Sequence, residues 1–191
     1  RGGSGAWEDR KRFGNACKHG TGRARWALAA VGIWTQDCGM SEHWQRVSGV
    51  VCKGHRVASG TGDDRRYPEG TLRMQRPFFA ERGFDVSPFF EGTLNVEIAP
   101  RTFALAKPLH TFRQMRWTEL HPPEDFSFSR CRVVHRSVTY VGWVYTPHPE
   151  TKAAHFQPPT MLEIIAPWVA GVNYGDAVEL WVPAEEIAIT P

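Results

Sequence analysis

The stretch CRVVHRSVTYVGWVYT, residues 131–146, is the strongest indicator of fold class in this sequence. Val, Thr, Tyr and Trp dominate it, and β-branched and aromatic side chains are typical of strands. The stretch predicts two strands or one long bent strand. Further short strand patterns lie on both sides of it, separated by turns that contain Gly or Pro. We therefore expect a mainly β fold, a compact barrel of short strands with one short helix and long loops.

Short strands are predicted at VSGVV, at HRVAS, in FFEGTLNVEI, over residues 109–120, at MLEIIAP and at AVELWV. A short helix is predicted to begin at Pro77 and to stop at Gly83. Residues two apart on a strand share a face. Placing alternate positions inward predicts one continuous core that contains Phe84, Leu94, Val96, Ile98, Val133, Val141, Ile164, Ile165, Val178 and Leu180.

The 191 residues suit one domain of ordinary size, but charge is unevenly distributed along them. Residues 1–39 carry seven Lys or Arg against three Asp or Glu, whereas the remainder carries 16 basic and 17 acidic residues. We interpret residues 1–39 as a poorly structured basic extension or a translation artefact, poorly packed against the rest. The alternative is a small basic module with a binding role. Residues 40–191, which begin Met-Ser-Glu-His, form the predicted folded domain.

Targeting and cysteine patterns favour a cytoplasmic protein. No apolar run approaches the ~20 residues that span a bilayer, so we expect no membrane association. WALAAVGIW is not followed by a small-residue cleavage site, which argues against secretion. The four cysteines include no C-x-x-C pair, as expected for reduced thiols.

Three segments carry candidate functional residues. A glycine-rich turn runs from Ser59 to an arginine, and its backbone N–H groups could form an anion-binding nest; a structural hairpin is the alternative. Thr93 and Asn95 share a strand face, either as an ordinary solvated surface or as two hard oxygen ligands for Mg²⁺. Glu163 in MLEIIAP either faces outward or faces a pocket, where it could act as a general base.

Taken together, these segments resemble the archaeal-type CTP-dependent riboflavin kinase family over about residues 47–182. The family's turn S-G-L-G-E-G-R, its strand G-F-x-P-Y-x-G-T-L-N and its later E-I-I-A-P occur in the same order. The matching residues are Ser59, Gly60, Gly62, Arg65, Gly83, Phe84, Gly92, Thr93, Leu94, Asn95, Glu163, Ile164, Ile165, Ala166 and Pro167.

The resemblance implies a six-stranded cradle-loop β-barrel that transfers the γ-phosphate of CTP to the 5′-hydroxyl of riboflavin, giving FMN and CDP. Thr93 and Asn95 would hold Mg²⁺, and Glu163 would accept the hydroxyl proton, with His155 as a second flavin contact. The nucleotide would be cradled by Gly60, Thr61, Gly62, Asp63, Asp64 and Arg65. We expect a monomer that binds these small molecules and not nucleic acid.

The chain departs from the family pattern at three places. Asp63 and Asp64 replace Glu-Gly, and His155 replaces a threonine that contacts the flavin in the family. After Pro167 the chain is about four residues shorter and lacks the family's arginine. Two alternatives therefore stay open: a non-catalytic barrel that binds a nucleotide or flavin, and a nucleic-acid-binding barrel that uses residues 1–39.

Overall fold

The computed structural model describes residues 43–60, 65–152, 154 and 156–191. The predictions for residues 1–39, and for Thr61, Gly62, Asp63, Asp64 and His155, lie outside the described residues. The described part contains one helix and nine strands: α1 (Thr71–Glu81), β1 (Trp44–Cys52), β2 (Leu94–Glu97), β3 (Thr102–Leu105), β4 (His110–Met115), β5 (Glu124–His135), β6 (Val138–Pro147), β7 (Met161–Ile165), β8 (Ala177–Pro183) and β9 (Ile187–Thr190). No helix in this part is long and apolar enough to cross a membrane.

The mainly β class is confirmed. Seven strands form one antiparallel sheet in the order β4-β5-β6-β7-β2-β1-β8, and β3 pairs with β9 in a second, two-stranded sheet. Strand β8 also pairs with β5, at Val133↔Leu180 and the two neighbouring pairs. The strands β5, β6, β7, β2, β1 and β8 are therefore paired in a ring, each with the next and β8 with β5. Strand β4 extends β5 outside this ring.

The segment at residues 131–146 forms two strands. The turn between them consists of Arg136 and Ser137, both with positive φ (48° and 63°), and His135 pairs with Val138 across it. Two positive φ angles are typical of two-residue hairpin turns. Strand β5 begins earlier than the sequence indicated, at Glu124, and its first six residues, acidic, Ser and Phe alike, are all buried.

The prediction that α1 begins at Pro77 is wrong, because the helix begins six residues earlier at Thr71 and Pro77 lies inside it. No side chain caps its start. Instead, Thr71 N and Leu72 N donate to the carbonyls of Val57 and Ala58, at 3.0 and 3.3 Å. The prediction of a strand at HRVAS is also wrong. Val57 and Ala58 lie in a turn, and their carbonyls accept hydrogen bonds from the first residues of the helix instead of from a neighbouring strand.

The predicted stop of α1 at Gly83 is confirmed. Gly83 has a φ of 79°, and its N–H donates to Ala80 O at 2.9 Å. Phe84 N donates to Phe79 O at 3.0 Å. This pair of bonds around a left-handed glycine is the Schellman motif, which satisfies the last helical carbonyls. The turn also directs Phe84 back against Phe79, with ring centroids 6.3 Å apart.

The prediction of one continuous core is wrong, because the buried apolar residues form two clusters. Seven of the ten predicted residues lie in the first, but Phe84 and Ile165 belong to the second, and Val141 is only half-buried. Adjacent strand residues point to opposite faces. Since Ile164 and Ile165 are both fully buried, β7 is covered on both sides. The second cluster is aromatic and centres on Phe79 of α1.

Candidate functional site

Two cavities adjoin at the end of the sheet where β2, β6 and β7 meet the proline-rich connection after β6. One has a volume of about 70 Å³ and the other about 560 Å³. Both are lined by Tyr145, Pro147, Lys152 and Glu163. The larger volume lies in the range of small-molecule pockets, ~300–1,000 Å³. The smaller one has room for a few waters or for a small polar group.

Thr93, Asn95 and Glu163 all line the smaller cavity. Asn95 and Glu163 are direct partners in the register of β2 and β7, so the sheet itself brings them side by side. The neighbours of Asn95 on β2, Leu94 and Val96, point into the first core cluster and are 3% and 0% exposed. The alternation predicted for this strand is therefore confirmed. Asn95 is nevertheless 7% exposed, because its face borders a cavity and not open solvent.

The amide of Asn95 is held from two sides. Thr93 Oγ1 donates to Asn95 Oδ1 at 3.3 Å. On the other side, a Cβ added to Gly54 would lie 1.5 Å from Asn95 Nδ2. Gly54, just beyond the end of β1, therefore leaves room for this amide, because any side chain at residue 54 would overlap it. The hydrogen bond from Thr93 and the space above Gly54 together orient the amide with Oδ1 toward Thr93.

The pair of Thr93 Oγ1 and Asn95 Oδ1 suits Mg²⁺ in chemistry and spacing. Both are neutral, hard oxygens, and two ligands at right angles around Mg²⁺ at about 2.1 Å lie roughly 3 Å apart. Among the described residues, no group of three or more His, Cys, Asp or Glu side chains is placed to hold a metal. The ion would therefore depend on oxygens from a bound phosphate and on water for its remaining ligands.

Glu163 lies between the two cavities. Gln157, in the connection that lines the larger cavity, donates from Nε2 to Glu163 Oε1 at 3.0 Å. Gln157 bonds to Oε1 and not to Oε2, and the carboxylate lines both cavities. Glu163 is thus placed to accept a proton from a hydroxyl group at the boundary.

The predicted nucleotide turn is only partly described. Of its described residues, neither Gly60 nor Arg65 lines either cavity, although the flanking Ala58 and Arg66 line the smaller one. Gly60 has a φ of 68°, and a Cβ there would lie 2.5 Å from Gly70 N. Ser59 packs against Gly92, where an added Cβ would lie 3.0 Å from Ser59 Cβ. The turn therefore begins beside the G-T-L-N segment.

A buried polar wall of the smaller cavity was missed by the sequence interpretation. Tyr145 donates its hydroxyl to Gln75 Oε1 at 2.8 Å, and Trp117 Nε1 donates to Glu124 Oε2 at 2.8 Å. His121 Nε2 lies 3.9 Å from the same carboxylate oxygen. Burial raises the pKa of Tyr145 well above its ordinary value, and the charges of Glu163 and Glu124 raise it further. Tyr145 therefore remains a neutral hydroxyl.

In the described part of the chain, Lys and Arg side chains outnumber carboxylates around the smaller cavity. Arg56, Arg66 and Lys152 line it together with two carboxylates, Glu124 and Glu163. Arg56 has a φ of 59°, an uncommon backbone conformation for a residue other than glycine. Uncommon conformations of this kind cluster at functional sites. An anion such as a phosphate group matches this balance of charge.

No protein-family model matches the chain, and no curated protein matches it at significant similarity. The functional assignment consequently depends on the motifs of the sequence and the geometry of the two cavities.

Proposed function

We propose that this protein is a magnesium-dependent riboflavin kinase, which transfers the γ-phosphate of a nucleoside triphosphate to the 5′-hydroxyl of riboflavin. One observation carries the proposal: Thr93 and Asn95 precede Glu163 by 70 and 68 positions in sequence, yet all three border one small cavity that adjoins a larger one. These are the three residues to which the resemblance assigns the metal and the proton acceptor. CTP is the donor that the resemblance implies.

The two cavities suggest a division of the substrates. The terminal phosphate of the nucleotide would enter the smaller cavity, and the flavin would occupy the larger one with its 5′-hydroxyl toward Glu163. Thr93 and Asn95 would hold Mg²⁺, which neutralises charge on the phosphate oxygens when bound. The residues of the glycine-rich turn, Gly60 to Arg65, would contact the nucleotide at the side where Ser59 meets Gly92.

The reaction asks little covalent chemistry of the protein. A bond forms between the riboflavin 5′ oxygen and the γ-phosphorus, and the bond from that phosphorus to the β–γ bridging oxygen breaks. Glu163 accepts the hydroxyl proton, and Gln157 orients the carboxylate through its 3.0 Å hydrogen bond. Positioning and charge neutralisation account for most catalysis of phosphoryl transfer, so these few groups are sufficient.

The proposal extends to the architecture, the oligomeric state and the cellular location of the protein. The ring of pairings through β5, β6, β7, β2, β1 and β8 supports a six-stranded cradle-loop barrel as the architecture. We further propose a monomer in the cytoplasm. The base preference depends on the resemblance alone, because Trp168 to Val172 replace the family's arginine-containing segment.

The direct test is formation of FMN by the purified chain from riboflavin, Mg²⁺ and each of CTP, ATP, GTP and UTP. We expect FMN with at least one donor and none after removal of Mg²⁺ by a chelator. Absence of both riboflavin binding and FMN formation with every donor would end the proposal. Binding without phosphorylation would support the non-catalytic alternative. Thermal unfolding measures that binding, since a ligand at 100 times its Kd adds about 2.7 kcal/mol of stability.

The nucleic-acid alternative has its own test. Binding to single-stranded oligonucleotides would be compared for the full chain and for a chain that begins at Met40. Because the remainder carries 16 basic and 17 acidic residues, its affinity for oligonucleotides should be weak and should change little with salt concentration. Strong binding that disappears with residues 1–39 would favour the nucleic-acid alternative.

A further inference from the structure

Among the described residues, one cation lies at the boundary between the two cavities. Of the four residues that line both, Pro147 offers no N–H, Glu163 is an acceptor, and the Tyr145 hydroxyl already donates to Gln75 at 2.8 Å. Lys152 is the remaining member. Arg56 and Arg66 line the smaller cavity but not the larger one. Lys152 is therefore the cation with access to both spaces.

The backbone before Lys152 is fixed to strand β5. Lys152 N and Thr151 N both donate to His148 O, at 2.9 and 3.1 Å. His148 N donates to Asp125 O at 2.9 Å, and Thr151 Oγ1 accepts from Asp125 N at 2.8 Å. These bonds set the origin of the lysine side chain relative to the sheet that carries Glu163. The ammonium group can then move along the boundary on a flexible stem.

We infer that Lys152 binds the transferred phosphoryl group, first as the γ-phosphate in the smaller cavity and then as the phosphate of FMN. This assignment rests on the proposed function. During transfer, negative charge is spread over three equatorial oxygens of the phosphoryl group. A group that moves from one cavity to the other needs a positive partner that lines both, and a lysine serves as a point charge for phosphate.

Lys152 takes no part in the bond changes. The 5′ oxygen of riboflavin bonds to the γ-phosphorus, the bond to the β–γ bridging oxygen breaks, and the hydroxyl proton passes to Glu163. The ammonium group keeps its three protons and stabilises the oxygens of the group in transit. It should therefore contribute to kcat and to the affinity for FMN, but not to the affinity for riboflavin, which carries no phosphate.

The test measures the Kd of riboflavin and of FMN, by quenching of flavin fluorescence, for the full chain and for Lys152→Met. A hydrogen bond to a charged group corresponds to about a ten- to hundredfold change in affinity. We expect that loss for FMN, with the Kd of riboflavin within twofold, and a fall in kcat. Lys152→Arg should restore part of the FMN affinity. The matched control is Lys107→Met, an exposed lysine that lines neither cavity.

The outcomes separate the two levels of the proposal. Unchanged FMN affinity in Lys152→Met, in a protein that phosphorylates riboflavin, would overturn the lysine assignment and leave the kinase proposal standing. An equal loss for riboflavin and FMN would show that Lys152 only packs the cavity wall, and would also overturn it. If the unaltered protein binds neither flavin, the proposed function fails, and the lysine assignment fails with it.

Discussion

The two cavities that meet at Glu163 are built from different kinds of structure. The smaller one takes Asn95, Glu163 and Tyr145 from strands and Gln75 from helix α1, whereas Thr93 and the cationic side chains come from the segments between these elements. The larger one is formed chiefly by the connection from Pro147 to Met161 and by strand β3. A one-residue shift in a strand would move every side chain to the other face, so the groups that strands carry into the smaller cavity have one defined position.

This contrast suggests that rate and affinity are controlled in different places. Groups that make and break bonds need positions held to fractions of an ångström, which a hydrogen-bonded sheet supplies. Ligand-selecting residues are commonly found on loops carried by such a scaffold. Changes in the smaller cavity should therefore alter kcat or the response to Mg²⁺, whereas changes in the larger one should alter flavin affinity.

The largest effect is expected for Glu163→Gln. The amide keeps the shape of the carboxylate but cannot accept the hydroxyl proton, so kcat should fall by about 10²–10⁴-fold. Riboflavin affinity should stay within a few-fold. Steady-state kinetics and fluorescence titration measure the two quantities, with Glu119→Gln as a surface control outside both cavities. Full activity in Glu163→Gln would remove this residue as the base.

The second prediction concerns Gly54, whose lack of a side chain makes room for the Asn95 amide. Gly54→Ala places a Cβ 1.5 Å from the present position of Asn95 Nδ2, so the amide must move. We expect the Mg²⁺ concentration for half-maximal rate to rise by about 10–100-fold, the range typical of lost support for a metal ligand. Asn95→Ala and Thr93→Ala should act in the same direction, with Thr102→Ala on β3 as the control.

A double variant tests whether Gly54 acts through Asn95. If it does, Gly54→Ala should add little in a chain that already carries Asn95→Ala, because residues that share one interaction are not additive. Independent, multiplying losses in the double variant would contradict this explanation. Circular dichroism of each variant would separate a local effect from loss of the fold.

The sequence allowed part of this site to be predicted. Strand alternation placed Leu94 and Val96 inward, and the resemblance pointed to Thr93, Asn95 and Glu163, which the fold brings to one cavity. These features depend on short patterns or on motifs. The same patterns identified β7 and β8.

The features of the site that the sequence did not predict depend on hydrogen bonds between residues distant in sequence. Tyr145 and Gln75 are 70 positions apart, and their hydrogen bond leaves no local pattern. Glu124 lies in a run of six buried residues at the start of β5, and its partner is Trp117, whose Nε1 donates to it at 2.8 Å. The start of α1 was missed for a similar reason, since backbone carbonyls replace a capping side chain there.

The third prediction separates the support of the smaller cavity from its chemistry. Tyr145→Phe removes a buried hydroxyl and leaves Gln75, which is 2% exposed, without this partner. A buried polar group left unsatisfied costs about 1–3 kcal/mol of unfolding free energy. Urea denaturation at pH 7 measures the loss. Tyr140→Phe, in which the ring is only partly buried, should cost less than about 1 kcal/mol.

The same substitution should alter stability at high pH. The pKa of Tyr145 is raised in the folded protein, so the unfolded chain releases this proton first as the pH rises above about 10. The contribution of the neutral tyrosine is therefore complete below pH 10 and declines above it. Tyr145→Phe should lose less unfolding free energy than the unaltered chain between pH 9 and 11. Parallel pH curves for the two proteins would contradict the assignment.

The smallest effect is expected in the larger cavity, at Phe156. Its ring lines that cavity and is 55% exposed, which makes it a candidate to stack on the flavin ring system. Aromatic pairs contribute about 0.5–1.5 kcal/mol beyond the area they bury, so Phe156→Ala should raise the Kd and KM of riboflavin by about two- to tenfold. The kcat should stay within twofold, because Phe156 lies outside the smaller cavity.

Leu120→Ala, at an exposed apolar residue that lines neither cavity, should leave all three constants unchanged. A fall in kcat at constant KM would show that Phe156, like Gln157 and Lys152 of the same connection, positions the reacting groups, and would contradict its assignment to flavin affinity alone.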